Sequence, residues 1–190
     1  MPGPVRGIHD LKQVKTWMAG TSPAMTTGRH VMNAMTPTDR MLSRKEGGVG
    51  TLIFNNPERH NAVSLEMWDA ASGILADFAA DKAIRVVVLT GAGGKAFVSG
   101  ADISKFESER SSKEAIDYYN EAVDKANSAV FEFPKPTIAM IRGYCIGGGT
   151  AIAVNCDLRI AADDAKFGVP AGKLGLGYRF TGIKRLADVV

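Results

Sequence analysis

Strand patterns and helix patterns alternate along most of this chain, and that alternation limits the fold more than any other feature. Val49 to Phe54 predicts a strand that ends at a turn, and a helix pattern with Ser64 as its N-cap then runs to about Asp81. Ile84 to Leu89 is an apolar, β-branched run of the kind found in strands that are covered on both faces. The order strand, helix, strand predicts a parallel sheet and an α/β fold.

The second half of the chain continues the alternation. A long helix is predicted from about Ser112 to Phe133, where Pro134 stops it. The elements predicted after that helix are a strand over Thr137 to Arg142, a glycine turn over Gly143 to Gly149, a short helix over Thr150 to Asn155 and a buried strand over Leu158 to Ala162. The helix pattern of Ile183, Leu186 and Val190 has no stop signal, so we expect the domain to be truncated at its C-terminal end.

The first part of the chain lacks any such pattern. Residues 1–34 have neither helical nor strand periodicity, and we expect a disordered or non-native leader followed by one domain over residues 35–190. The whole chain has 23 Lys or Arg and 20 Asp or Glu, and residues 1–45 hold seven of the basic and two of the acidic side chains. Residues 46–190 therefore carry 16 basic and 18 acidic side chains. A nucleic-acid binder would need a basic face on its folded part, so we expect no nucleic-acid partner.

Membrane and secreted classes also fit poorly. No apolar run approaches the roughly 20 residues that cross a bilayer, and the first 30 residues lack the apolar core of a secretory signal. Cys145 and Cys156 are the two cysteines, and they form neither a CxxC pair nor a disulfide framework. We therefore expect a cytoplasmic protein with reduced thiols and no membrane association.

Two glycine-containing segments carry the functional signal, because each is predicted to lead from a strand into a helix. They are Ala96 to Ile103 and Gly143 to Gly149. The first N–H groups of a helix have no backbone partner, and small residues let a ligand approach them closely. Two such junctions that converge would form an oxyanion hole, whereas a lone triple-glycine turn fits a purely structural role equally well. A third segment, Gly91 to Ala96, matches the dinucleotide fingerprint only loosely, because no helix pattern follows it directly.

Five segments together resemble the crotonase family, the enoyl-CoA hydratase and isomerase superfamily, from Val49 to Val190. The segments are Asn56 to Ser64, Ala96 to Ile103, Pro134 to Ala139, Gly143 to Gly149 and Asn155 to Ala161. The resemblance implies an α/β spiral of ββα units, with C-terminal helices that are missing from this chain. It also implies an acyl-CoA substrate, a homotrimer or hexamer for the full-length protein, and no cofactor apart from the coenzyme A of the substrate.

The resemblance also assigns residues to the site. It implies that the backbone N–H groups of Ala101 and Gly148 hold the negative charge of a thioester enolate, and it implies no metal ligands. The positions that match substrate and coenzyme A contacts of the family are Arg59, His60, Ala62, Ser99, Ala101, Asp102, Ile103 and Gly148. Taken without the resemblance, His60 fits a solvated loop residue better, and Asp102 fits a cap at the start of a helix.

The chain departs from the family at two catalytic positions. Hydratases of the family place one glutamate soon after the triple glycine and another after a Phe-Gly-x-Pro segment, whereas this chain has Ala151 and Ala171 there. One positioned acid or base contributes a factor of roughly 10² to 10⁴ to a rate, so fast hydration is not expected. Tyr178 and Arg179 stand where the family has a small turn, and they are either substitutes for the glutamates or residues of a surface turn.

Three hypotheses follow from the sequence. The first is an acyl-CoA-processing enzyme of the enoyl-CoA hydratase/isomerase type that uses the oxyanion hole, with isomerase, decarboxylase and thioester hydrolase chemistry all open to it. The second is a non-catalytic paralogue that binds acyl-CoA, which the two alanines would explain. The third is a nucleotide-binding oxidoreductase, and it rests on Gly91 to Ala96 alone.

Overall fold

The structure is a computed structural model that describes residues 38–190, so the leader expected over residues 1–34 lies outside the described residues. The strands in this part of the chain are β1 (Met41–Glu46), β2 (Val49–Phe54), β3 (Val86–Gly91), β4 (Ala96–Val98), β5 (Thr137–Ile141), β6 (Tyr144–Ile146), β7 (Leu158–Ala161) and β8 (Lys166–Gly168). The α-helices are α1 (Leu65–Ala80), α2 (Phe106–Glu109), α3 (Lys113–Phe131), α4 (Gly148–Asn155) and α5 (Phe180–Ala187). Short 3-10 helices lie at Pro57–Arg59, Ile103–Lys105 and Pro170–Leu174.

The strands form two sheets, and from β3 onward successive strands belong to the two sheets alternately. The larger sheet has the order β1-β2-β3-β5-β7, in which β1 and β2 are antiparallel and the other pairs are parallel. The smaller sheet has the order β4-β6-β8 and is parallel throughout. From β3 onward, each turn of the chain adds one strand to the larger sheet, the next strand to the smaller sheet, and then helical residues. This arrangement is a spiral of ββα units, and it confirms the predicted α/β fold.

Helix α1 shows how the sequence produces the packing. Its N-cap is Ser64 and it ends at Ala80, as the sequence predicts, and residues spaced three and four apart form one apolar face. Met67, Leu75 and Phe78 on that face are almost completely buried. Burying a side chain of that size contributes about 1.5 to 3 kcal/mol to the free energy of unfolding. None of the helices in residues 38–190 combines the length and the apolar composition needed to cross a membrane.

The structure differs from the sequence prediction in several strands. The sequence pattern does not reveal β1, because Met41 is the one fully buried residue of that strand. It does not reveal β6 either, because β6 is a three-residue strand inside the predicted glycine turn. The prediction of a buried strand over Leu158 to Ala162 is wrong about burial, because β7 is the last strand of the larger sheet and all four of its residues are exposed in the described part of the chain. The strand predicted to begin at Ile84 begins at Val86.

Candidate functional site

The loop after β4 leaves the N–H group of Ala101 free. Val63 forms a parallel bridge to Ala101, in which the Val63 N–H donates to the Gly100 carbonyl at 2.9 Å and the Val63 carbonyl accepts from the Asp102 N–H at 2.9 Å. Val63 thus uses both its N–H and its C=O group in the bridge. Ala101, which lies between Gly100 and Asp102, uses neither of its own. No hydrogen bond donated by the Ala101 N–H is found among the described residues, so this donor can serve a ligand.

The second junction lies where β6 ends and α4 begins. Gly147 has φ +55°, and Gly149 packs so closely on β4 that a Cβ atom there would lie 2.1 Å from the Val98 carbonyl oxygen. Gly148 is the first residue of α4, and the hydrogen bond that starts the helix runs from Ala151 N–H to the Gly147 carbonyl at 3.0 Å. The Gly148 N–H is therefore one of the unpaired donors at a helix start.

Gly100, the residue before Ala101, brings the two junctions together. A Cβ atom placed on Gly148 would lie 3.8 Å from the Cα atom of Gly100, and one placed on Gly147 would lie 3.9 Å from it. The contact of Gly149 with β4 fixes this approach, because no larger residue fits there. Two free backbone donors therefore lie at adjacent junctions, one in the loop after β4 and one at the start of α4, and such an arrangement can stabilise an oxyanion.

Two aromatic side chains border these glycines. Cζ2 of Trp68, on the buried face of α1, lies 3.5 Å from the position that a Cβ atom of Gly148 would take. The Tyr178 hydroxyl lies 3.8 Å from the corresponding position on Gly147. Tyr178 is half-buried, and burial raises the pKa of its phenol above the ordinary value. The structure thus brings a neutral phenol, with no hydrogen-bond partner among residues 38–190, to the edge of the glycine junction.

Arg179 does not accompany Tyr178. Its guanidinium pairs with the carboxylate of Asp124 on α3, and the two side chains are 56% and 51% exposed. An exposed pair of this kind contributes at most about 1 kcal/mol to stability, so it can open at little cost. The structure places Arg179 in a surface ion pair and not beside the glycines.

Ala151 and Ala171, which the sequence resemblance pairs with glutamates, lie on the helical elements that follow β6 and β8. Ala151 is half-buried in the first turn of α4, and Ala171 is buried in the 3-10 helix that follows β8. The end of β8 is fixed to the glycine turn by a hydrogen bond from the Gly147 N–H to the Gly168 carbonyl at 2.8 Å. Neither alanine side chain can transfer a proton, so general acid–base catalysis at these positions is absent.

A polar cluster surrounds the residue after Ala101. Asp102 is almost completely buried and caps the next 3-10 helix, and its Oδ1 accepts from Ser104 N–H at 3.1 Å and from Ser104 Oγ at 2.6 Å. Nη1 of Arg59 lies 3.4 Å from the same oxygen and also donates to the Ser104 hydroxyl. Asp102 Oδ2 is buried without a hydrogen-bond partner, and Ile103 is 70% exposed. The structure thus joins Arg59 and Asp102 through Ser104, a contact that the sequence does not reveal.

Asn61 holds the loop that contains the Arg59 to Ala62 positions, a role that no sequence motif assigns to it. It has φ +56° and is completely buried. Its Oδ1 accepts from Asn56 N–H at 2.9 Å, and its Nδ2 donates to the Ala92 carbonyl at 2.9 Å and to the Ala96 carbonyl at 2.8 Å. The one sequence signal for this role is the tolerance of asparagine for a positive φ.

The remaining predicted contact residues lie around the same loop. His60 is exposed with φ +52°, and its ring packs edge to face on Tyr144 with the centroids 5.8 Å apart. Its carbonyl accepts from Ser99 N–H at 3.1 Å, and Ser99 Oγ donates to the Arg59 carbonyl at 3.4 Å. Ala62 is half-buried between these groups and the start of α1. The residues predicted before and after β4 therefore form adjoining loops.

Within residues 38–190, the glycine run after β3 and the two cysteines do not form a second kind of site. Gly91 to Ala96 connects β3 directly to β4, whereas a dinucleotide fingerprint must open a helix, so the oxidoreductase hypothesis loses its support. Within residues 38–190 there is no group of three or more His, Cys, Asp or Glu side chains that could hold a metal ion. Cys145 and Cys156 are buried, and burial raises the pKa of each thiol to about 12, which keeps both thiols protonated at neutral pH.

Comparison with known proteins shows the family of the chain. Residues 44–190 match the family model described as enoyl-CoA hydratase/isomerase. The chain belongs to the enoyl-CoA hydratase/isomerase family. It is 34% identical over 156 residues to the short-chain-enoyl-CoA hydratase of Clostridium acetobutylicum, and the alignment covers 80% of this chain and 58% of that relative. It is 35% identical over 156 residues to the crotonyl-CoA hydratase of Syntrophomonas wolfei, with the same two coverages.

Solved structures of the enoyl-CoA hydratase/isomerase family share the fold. An enoyl-CoA hydratase/carnithine racemase from Magnetospirillum magneticum matches with a TM-score of 0.76 at 38% identity, over 80% of this chain and 57% of that one. An enoyl-CoA hydratase from Bacillus anthracis matches with a TM-score of 0.73 at 30% identity, over 80% of this chain and 59% of that one. The chain thus spans less than two thirds of the length of these family members.

Proposed function

We propose that this chain is the acyl-CoA-binding part of an enzyme of the enoyl-CoA hydratase/isomerase type that stabilises a thioester enolate. The observation that carries the proposal is the approach of two free backbone donors, the N–H group of Ala101 in the loop after β4 and that of Gly148 at the start of α4. Both donors would bind the thioester oxygen, where negative charge develops when a bond to the neighbouring carbon breaks. One such donor contributes about 3 kcal/mol to the stability of the transition state.

Coenzyme A enters this proposal as part of the substrate, and enolate formation in such a hole requires no metal or redox cofactor. The adjoining loops offer a cation, Arg59, to the phosphates of coenzyme A and an exposed apolar side chain, Ile103, to its less polar parts. The other residues proposed to contact the substrate are His60, Ala62, Ser99, Ala101, Asp102 and Gly148. Isomerisation, decarboxylation and thioester hydrolysis all fit the same hole.

The proton that returns to the enolate needs a donor other than the usual glutamates. We assign this role to Tyr178, because its hydroxyl borders Gly147 and its raised pKa keeps most of it protonated. In α-proton exchange the small phenolate fraction of Tyr178 takes the α proton, and the phenol so formed exchanges with solvent and returns a proton to the enolate. Arg179 is the second candidate, and it would have to leave Asp124 in order to act.

A non-catalytic acyl-CoA-binding paralogue is the second candidate function. The alanines at positions 151 and 171 favour it, because each stands where a group worth a factor of roughly 10² to 10⁴ in rate would otherwise act. For either function we propose a cytoplasmic protein with no nucleic-acid or membrane partner, and a homotrimer or hexamer at full length.

Proton NMR of butyryl-CoA and crotonyl-CoA in heavy water tests the proposal, because one experiment reports α-proton exchange, double-bond migration and hydration. We expect protein-dependent exchange of the α protons of butyryl-CoA. Line broadening that shows binding without exchange would favour the paralogue. The absence of both binding and exchange would contradict the two candidate functions together.

A further inference from the structure

Residues 175–180 form the turn that connects the 3-10 helix Pro170–Leu174 to α5, and Tyr178 is the residue of this turn that packs on the domain. It is half-buried, whereas the other residues of the turn are exposed. Its hydroxyl lies 3.8 Å from the position that a Cβ atom of Gly147 would take, and its Cδ1 atom lies 3.7 Å from the corresponding position on Gly182 in α5. The place of the phenol at the glycine junction therefore depends on how the turn is held.

Backbone contacts hold this turn only at its start. Leu176 N–H donates to the Ala171 carbonyl at 3.0 Å, but no backbone hydrogen bond donated by Gly177, Tyr178 or Arg179 is found in the part of the chain that the structure describes. A Cβ atom on Gly177 would meet no other atom within 4 Å. Segments with few hydrogen bonds and few packed neighbours open at a low cost in free energy. A side-chain contact can therefore decide how often Tyr178 is in place.

The ion pair of Arg179 with Asp124 is such a contact, because it joins the residue after Tyr178 to α3. Both side chains are about half exposed. The pair borders a surface groove, and among the described residues Arg179 is the one lining residue that does not belong to α3. Glu121 lines the same groove one helical turn before Asp124, yet it forms no ion pair within residues 38–190. Asp124 is thus the carboxylate that attaches the turn to α3.

We propose that Asp124 is a positioning residue, which holds Arg179 so that the hydroxyl of Tyr178 stays at the glycine junction. The inference rests on the proposed function, in which Tyr178 moves the α proton. An exposed ion pair shifts an equilibrium by up to about fivefold, so Asp124 sets the fraction of the protein that has the phenol in place. If Arg179 were itself the proton donor, its release from Asp124 would raise the rate instead of lowering it.

The exchange of the α protons of butyryl-CoA in heavy water, measured at saturation, tests the inference. Asp124→Asn should lower kcat by about two- to fivefold and leave KM unchanged, because neither Asp124 nor Tyr178 is proposed to contact coenzyme A. Asp124→Arg should lower kcat by up to about 20-fold, because it adds the repulsion of two like charges to the loss of the ion pair. Asp124→Arg combined with Arg179→Asp should restore kcat to within about twofold of wild type, because the ion pair forms again with its charges exchanged.

The matched controls are Glu121→Gln and Glu121→Arg. They change the charge of the same groove by the same amounts as the two Asp124 variants, but they remove no ion pair. Both should keep the wild-type kcat. Thermal unfolding checks that each variant is folded, which we expect because Asp124 and Glu121 are exposed.

Carbon-13 NMR of the tyrosine rings gives a second readout that needs no turnover, with the Tyr178 signal assigned by its loss in Tyr178→Phe. Burial raises the pKa of the Tyr178 phenol in the wild type. Asp124→Arg should bring this pKa down toward the ordinary value of about 10, and below the pKa measured in Glu121→Arg, because the released phenol is exposed to water.

Two results would overturn the inference and leave the proposed function intact. One is a kcat of the Asp124 variants equal to that of the Glu121 controls, and the other is faster exchange by Asp124→Asn, which would make Arg179 the donor. An equal Tyr178 pKa in Asp124→Arg and Glu121→Arg would overturn the inference whether or not the wild type exchanges protons. Failure of the wild type to bind butyryl-CoA and to exchange its α protons would instead contradict the proposed function.

Discussion

Replacement of Gly148 by proline removes one hydrogen-bond donor from the glycine junction and keeps the helix start. Gly148 is the first residue of α4, where proline is well accepted because the N–H group has no partner within the helix. If this N–H group is one of two donors to the thioester oxygen, its loss costs the transition state about 3 kcal/mol. That cost corresponds to a decrease of about 10² to 10³ in rate.

The matched control is Gly148→Ala, which adds a Cβ atom but keeps the N–H group. That Cβ atom would lie 3.5 Å from Cζ2 of Trp68, an ordinary van der Waals contact. The assay is the exchange of the α protons of butyryl-CoA in heavy water, with thermal unfolding as the check that each variant is folded. We expect the exchange rate of Gly148→Pro to fall about 10²- to 10³-fold and that of Gly148→Ala to stay within about tenfold of wild type. Exchange by folded Gly148→Pro at the wild-type rate would refute the role of this donor.

Three further substitutions test other parts of the account. Ala151→Glu combined with Ala171→Glu should raise the hydration of crotonyl-CoA, followed by its enoyl absorbance, by about 10²-fold or more, and no gain would mean that the site is shaped for another reaction. Tyr178→Phe should lower α-proton exchange by about 10²-fold. Because the phenolate must take the α proton before the phenol can return one, and burial raises the phenol pKa, protein-dependent exchange by wild type should rise with pH and level off only above the ordinary tyrosine pKa of about 10, and the same alkaline rise in Tyr178→Phe would exclude this phenol. Asn61→Ala should lower the free energy of unfolding in urea by about 3 kcal/mol, because this buried side chain loses three hydrogen bonds, and a change below about 1 kcal/mol would show that water or neighbouring groups replace them.

The sequence predicts the elements whose limits depend on local chemistry. Ser64 and Ser112 precede helices where the pattern places them, and Ser112 Oγ accepts from Ala115 N–H at 3.2 Å. The β-branched run of β3 lies at the centre of the larger sheet, between β2 and β5, and therefore has a continuous apolar pattern. By contrast, β1 and β7 are the outer strands of that sheet, where residues face solvent and the pattern fails.

The site is only partly predictable from the sequence. The two glycine segments are visible because glycine is needed where backbones approach closely, as at Gly149. The contact of Trp68 with Tyr119 joins residues 51 positions apart, so no local pattern reveals it. Arg179 stands beside Tyr178 in the sequence, yet it pairs with Asp124, 55 positions earlier. Side-chain direction after a turn depends on tertiary contacts, which a one-dimensional pattern does not contain.

The central claim is that a bound thioester oxygen accepts hydrogen bonds from the Ala101 and Gly148 N–H groups. The most direct test is the infrared C=O stretching frequency of butyryl-CoA labelled with carbon-13 at the thioester carbonyl, measured in water and bound to the protein. Preorganised donors polarise the carbonyl more strongly than water does, so the account predicts a lower frequency on wild type and a return toward the value in water on Gly148→Pro. A bound thioester with the same frequency as in water, on a wild-type protein shown to be saturated, would contradict the claim.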